Sequence, residues 1–229
     1  MNSVDKYGCL LDLVKSRRSV RQFKSDPVPD DYIAKIIEVA RWAPSAFHTQ
    51  PWEFVVIRNP EIKNKIVAAL EKYGPPIRDP EKASLSRKSF KDAPVFILLL
   101  CDWRASAGLP GGRPENRAQV ANLYYSSLAS AFLYMHLAAT ALGLASQWYT
   151  ATSRPEAERA IREIIGIPEA LTIYDMIVVG YTASPPGPKI VRDIREMVHY
   201  DNCGTQDFRT DAEVADYAGK TKAWCLSQH

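Results

Sequence analysis

The chain has 229 residues, of which 46% are hydrophobic and 24% charged, and its net charge is +3. That composition is an ordinary globular one, and the charge is too small to argue for a nucleic-acid partner or a membrane surface. No uninterrupted apolar run reaches the roughly 18 residues that a bilayer span needs, so no transmembrane helix is predicted.

In chain order, a helix is predicted over residues 7–15, with Leu10, Leu11, Leu13 and Val14 on its apolar side. It delivers Arg17-Arg18-Ser19-Val20-Arg21, a dense group of hydrogen-bond donors whose planar forks match phosphate and carboxylate oxygens. Pro29-Asp30-Asp31 followed by Tyr32, Ile33, Ile36, Ile37 and Ala40 reads as a capped amphipathic helix. A polar loop punctuated by Pro44 and Pro51 then runs into the strand Phe54-Val55-Val56-Ile57. Asn59-Pro60-Glu61 caps a further helix that continues through Leu70.

Residues 73–92 carry Pro, Lys, Arg and Ser without a period and are expected to form a surface loop that covers a substrate. Pro94 to Cys101 is a continuous apolar run, which predicts a strand buried on both faces with Cys101 in the core. From Glu115 to Leu142 the pattern is one long helix with no polar face, better explained by a subunit interface than by so small a core. Gly143 stops it. A strand is expected over 146–149, a helix from Arg154 to Ile165 that Gly166-Ile167-Pro168 breaks, and a last strand over 173–181. With no regular strand–helix alternation the class is α+β.

One domain is expected over residues 1–201, with 202–229 as a C-terminal extension holding a short helix near Asp211–Ala218 and an anchoring Trp224. Cys9, Cys101, Cys203 and Cys225 are scattered, without metal-ligand spacing, which suits reduced thiols and a cytoplasmic protein with no metal site. No Ser-His-Asp order, Cys–His pairing or HExxH motif suggests hydrolysis. Asp102, Glu53 and Asp175 read as surface or structural acids, and Trp52 as core.

Two segments taken together go further. Arg17-Arg18-Ser19-Val20-Arg21-Gln22-Phe23, a short helix, then Ala43-Pro44-Ser45-Ala46-Phe47-His48-Thr49-Gln50-Pro51-Trp52 resembles the N-terminal signature of the nitroreductase-like FMN oxidoreductases. The likeness runs over most of residues 10–201. It implies a central mixed or antiparallel sheet flanked by helices, in an intertwined homodimer with flavin sites at the interface. It implies FMN as cofactor, with NADH or NADPH giving hydride that passes on to a nitroaromatic or quinone.

By that resemblance Arg17, Arg18 and Ser19 bind phosphate and ribityl, Arg21 lies near the pyrimidine carbonyls, and Arg192, with Lys189 beside it, closes on the phosphate. Arg195 is left as a solvated charge. Pro44, Ser45 and Ala46 approach the flavin from the partner subunit, and Gln50 reaches the ribityl chain or holds the loop. His48 stands where many relatives carry Asn, a variant closer to the iodotyrosine-deiodinase branch. Thr150, Ala151 and Thr152 fall where the family places a donor facing flavin N5. Two alternatives stand beside this reading: a flavin-dependent reductive dehalogenase of the same fold, and a non-catalytic flavin- or nucleotide-binding module. The dehalogenase reading wants a Glu-Tyr-Lys set in the cover, for which 73–92 offers Tyr73 and lysines but no clear equivalent.

Overall fold

The computed structural model describes residues 5–74, 90–109, 117–204 and 208–227. Its helices are α1 (Lys6–Ser16), α2 (Asp30–Ala40), α3 (Pro60–Tyr73), α4 (Arg117–Ala141), α5 (Pro155–Ile165) and α6 (Asp211–Ser227). Its strands are β1 (Trp52–Ile57), β2 (Val95–Asp102), β3 (Ala145–Tyr149) and β4 (Leu171–Gly180). The chain divides into two compact units after Ser184.

In the first unit the four strands form one sheet in the order β1-β2-β4-β3, and every pair is antiparallel. Side chains alternate across a strand, so β2 and β4 feed two cores at once. Ile97, Leu99, Ile177 and Val179 face α2 and α4, with Tyr124, Leu128 and Phe132 packed beside them. Phe96, Leu98, Leu100, Met176 and Val178 face α3 and α5, with Ile66, Leu70 and Ile161. This explains the unbroken apolar run from Val95 to Cys101, all of it buried.

The alternation fails once. Leu99 pairs with Asp175 and Leu100 with Ile173, which leaves Tyr174 as an extra residue in a β-bulge.

The ends of the helices follow local chemistry. Asn59 accepts from the amides of Glu61 and Ile62, as the cap at α3 required. Gly143 and Gly166 take φ of 73° and 77° just past α4 and α5, a conformation that costs any residue with a Cβ. The cap expected at α2 is different: Pro29 stands at the N-cap without a side-chain bond. Asp30 and Asp31 lie in the first turn, where they meet the positive end of the helix dipole.

Two helices are less buried than their sequences suggest. No residue of α1 is buried, and Tyr7, Leu10 and Val14 are exposed. On α4 the inner side is core, whereas Leu123, Tyr125 and Leu133 are exposed. No helix among the described residues is long and apolar enough to cross a membrane.

In the second unit α6 is longer than the tail's expected short helix. Trp224 Nε1 donates to the carbonyl of Pro188 at 3.0 Å, so this indole anchors α6 within its own unit.

Candidate active site

The arginine segment leaves α1 and is fixed by backbone contacts. Ser19 forms a parallel bridge with Ser146 at the start of β3, and Val20 N donates to Ser146 O at 3.0 Å. Arg18 turns back to donate to the carbonyls of Lys15 and Arg17. Arg17 is partly buried, and burial together with the neighbouring Arg18 cation holds its pKa below the usual guanidinium range. No carboxylate pairs with Arg17 or Arg21 among the described residues. Two adjacent cations, one of them partly buried and without a carboxylate partner among the described residues, are of the kind that could hold an anion.

Beneath this segment lies a histidine that the sequence reading passed over. His136 of α4 is buried, and its Nδ1 lies 2.7 Å from Ser146 Oγ. Its ring stacks on Trp148 at 5.7 Å, and its Nε2 has no partner. Burial, with a smaller contribution from the Arg17 charge, drives its pKa down to about 3, so the ring is neutral. A lone His inside an apolar helix was the available clue.

The second segment is a strained loop pinned to α4. Ala46 N donates to Ser127 Oγ at 3.1 Å, and Gln50 N donates to Ser45 Oγ at 3.1 Å. The side chains of Gln50 and His48 meet at 3.0 Å. Phe47, His48 and Gln50 all have positive φ, at 50°, 57° and 46°. Such backbone is unfavourable for residues with a Cβ and survives only where the surroundings enforce it. Pro44, His48 and Gln50 are exposed, while Ser45 and Ala46 are partly covered.

At the far end of β3, Thr152 is fully buried and donates to Tyr149 O at 3.4 Å, which turns its hydroxyl inward. Thr150 is exposed and borders a cavity of about 760 Å³ whose walls include Trp103, Tyr125, Tyr174, Asp175 and Glu158.

Asp175, read above as a surface or structural acid, is buried in the cavity wall and accepts from Trp148 Nε1 at 2.6 Å. Burial raises its pKa to about 6, partly offset by the indole hydrogen bond. Tyr174 is pushed up to about 12, by burial first and then by Asp175. Asp102 instead accepts from Arg104, and Glu53 is exposed.

Lys189 and Arg192 belong to the second unit. There Arg192 Nη2 donates to the carbonyl of Glu196 at 2.6 Å, and Arg195 pairs with Asp193 at the surface. Of the expected cover, residues 75–89 lie outside the described residues.

An arginine-rich segment bridged to the edge strand β3, an α4-pinned proline loop and a helix-flanked antiparallel sheet define an α+β enzyme scaffold. The chain belongs to the Nitroreductase family, whose model matches residues 14–181. It is 29% identical over 184 residues to a Methanothermobacter thermautotrophicus protein provisionally named NADH dehydrogenase/NAD(P)H nitroreductase, covering 80% of this chain and 83% of that one. It is 28% identical over 195 residues to an iodotyrosine deiodinase of Thermotoga neapolitana, covering 80% and 94%. Among solved structures, an iodotyrosine deiodinase bound to FMN and 3-iodo-L-tyrosine superposes with a TM-score of 0.65 at 25% identity, covering 85% of this chain and all of that one.

Proposed function

We propose that the protein is an FMN-dependent oxidoreductase that takes hydride from NADH or NADPH and reduces an electron-poor acceptor such as a nitroaromatic or quinone. The observation that carries this reading is Arg17: partly buried, beside Arg18, and without a carboxylate partner among the described residues. A phosphate ester supplies the missing counter-charge and accepts several charge-assisted hydrogen bonds. The family membership and the FMN in a related solved structure support the same cofactor.

In this reading Arg17, Arg18 and Ser19 hold the phosphate and ribityl end, and Arg21 turns toward the pyrimidine edge. Their positive field favours the negative charge that a reduced flavin carries. Bound FMN supplies the two-electron chemistry. The chain's own part is to orient the reactants and to keep water from the reacting face. The loop of Pro44, Ser45 and Ala46, stiffened by its bonds to α4 and Gln50, would serve the flavin of a second protomer. Exposed Tyr7, Leu10 and Val14 of α1 with Leu123 and Leu133 of α4 give that homodimer its contact surface. We place the enzyme in the cytoplasm, on the strength of its scattered cysteines.

The test is direct. The purified protein should be yellow, with the visible absorption of an oxidised flavin, and should oxidise NADH or NADPH when a quinone or nitroaromatic is present. A colourless protein that binds no added FMN ends this reading. A yellow protein that oxidises neither nicotinamide leaves a flavin-binding module.

A further inference from the structure

We propose that the cavity bordered by Thr150 binds a flat aromatic ligand carrying a cationic or hydrogen-bond-donating group, which Asp175 recognises. The volume, about 760 Å³, lies in the range of small-molecule sites. Trp103, Tyr125 and Tyr174 line it. Their rings form an array, with centroids 6.0 Å apart for Trp103 and Tyr125 and 6.1 Å for Tyr125 and Tyr174. Such an array offers a planar ligand both faces and edges to pack against.

Polarity comes from an irregularity of the sheet. In a regular strand Tyr174 and Asp175 would point to opposite faces. The bulge opposite Leu99 and Leu100 lets both line the cavity. Asp175 is only 7% exposed, and one oxygen, Oδ2, accepts from Trp148. No other hydrogen bond or ion pair to the carboxylate is made among the described residues. A carboxylate can accept about four hydrogen bonds, so this one, in the cavity lining with a single donor, keeps acceptor capacity for a ligand. The cavity's other acid, Glu158, is already engaged by Arg162 at 3.0 Å and by the amide of Ile173. One uncompensated acceptor among aromatic walls selects for a donor or a cation and against an anion.

This assignment rests on the flavin reading for the ligand's role alone. In that reading the occupant is the acceptor, an electron-poor ring with an amino or ammonium substituent.

The test uses the full chain as purified and three probes of one shape: 1-naphthylmethylamine, 1-naphthylmethanol and 1-naphthoate. Their affinities are measured by equilibrium dialysis at a pH of about 7.5. The amine should bind at least about tenfold more tightly than the naphthoate, the scale of one charge-assisted hydrogen bond. Asp175→Asn should abolish that preference and leave the neutral alcohol within about twofold. Naphthoate binding as tightly as the amine, failure of all three probes, or a preference that survives Asp175→Asn overturns the proposal.

Should the variant fail to fold, wild type at a pH of about 5 carries the test. The titratable groups around Asp175 are Cys101, Tyr125, Tyr174 and Glu158 in the cavity wall, with Arg162 tied to Glu158 and neutral His136 across Trp148. Asp175 takes up its proton near pH 6, so the amine's advantage must shrink at the lower pH. An unchanged ratio overturns the proposal. Flavin content is read from the visible spectrum of the same samples, so a missing cofactor and a missing charge preference are separate failures.

Discussion

His136 of α4 holds Ser146 of β3 across 2.7 Å, and Ser146 in turn carries the bridge to Ser19. A buried neutral imidazole therefore supports the strand that registers the arginine segment. His136 has an ordinary pKa of 6.5 and a folded-state value of about 3, so below pH 6.5 the unfolded chain binds a proton that the native chain refuses. Stability is thus lost as pH falls from 6.5 toward 3, by at most about 1.4 kcal/mol per pH unit. Asp175 runs the opposite way between pH 4 and 6, because its folded value is raised. Comparing His136→Gln with wild type isolates the histidine: the variant's melting temperature should fall less steeply on acidification. Parallel profiles would show that His136 is protonated in the native state.

Arg17→Ala is expected to weaken FMN by roughly ten- to a hundredfold, since a hydrogen bond to a charged group contributes about 1.5–3 kcal/mol. Riboflavin, which lacks the phosphate, should bind the variant and wild type nearly alike. Fluorescence titration with both flavins checks this. Equal weakening of the two would mean general damage to the pocket.

His48 is exposed and meets Gln50 at 3.0 Å, in a loop bonded to α4. If the loop faces a flavin, His48→Ala should slow NAD(P)H-driven turnover several-fold while leaving the melting temperature within a few degrees. Steady-state kinetics beside a thermal melt decide it, and unchanged kinetics return His48 to a structural role.

The exposed apolar residues of α1 and α4 predict a homodimer. Leu133→Glu places a charge on the exposed side of α4, where Leu123 is also exposed, as Tyr7, Leu10 and Val14 are on α1. Light scattering at micromolar concentration should give twice the chain mass for wild type and about the chain mass for the variant. A monomeric wild type would remove the reason to bring Pro44–Ala46 to a second protomer's cofactor.

Much of this architecture could be read from periodicity and punctuation. The run from Val95 to Cys101 became the buried body of β2, and Gly143 and Gly166 ended their helices in left-handed turns. The length of α4 was legible, but the division of its surface was not. An all-apolar helix gives no period from which to tell core from exposed side, so Leu133 looked the same as Phe132.

Asp175 was hidden for a related reason. Its polarity is legible, but the bulge that turns it into a cavity is set by pairing with β2, 76 positions upstream at Leu99 by simple subtraction. His136 was overlooked because its partner, Ser146, lies across a helix end and a turn. Local patterns carry elements, whereas these two groups acquire their meaning from long-range register.

The left-handed backbone at Phe47, His48 and Gln50 has a consequence for how this chain can be altered. Asparagine and glycine tolerate that conformation far better than a bulky or branched residue does. Phe47→Gly therefore relieves a local burden of about 1 kcal/mol, in a loop already anchored at Ser127, whereas His48 is of a residue type that adopts this backbone more readily. Asn at position 48 would suit the φ of 57° there without any catalytic role. Thermostabilisation of this scaffold has its most accessible starting point in that loop, at Phe47.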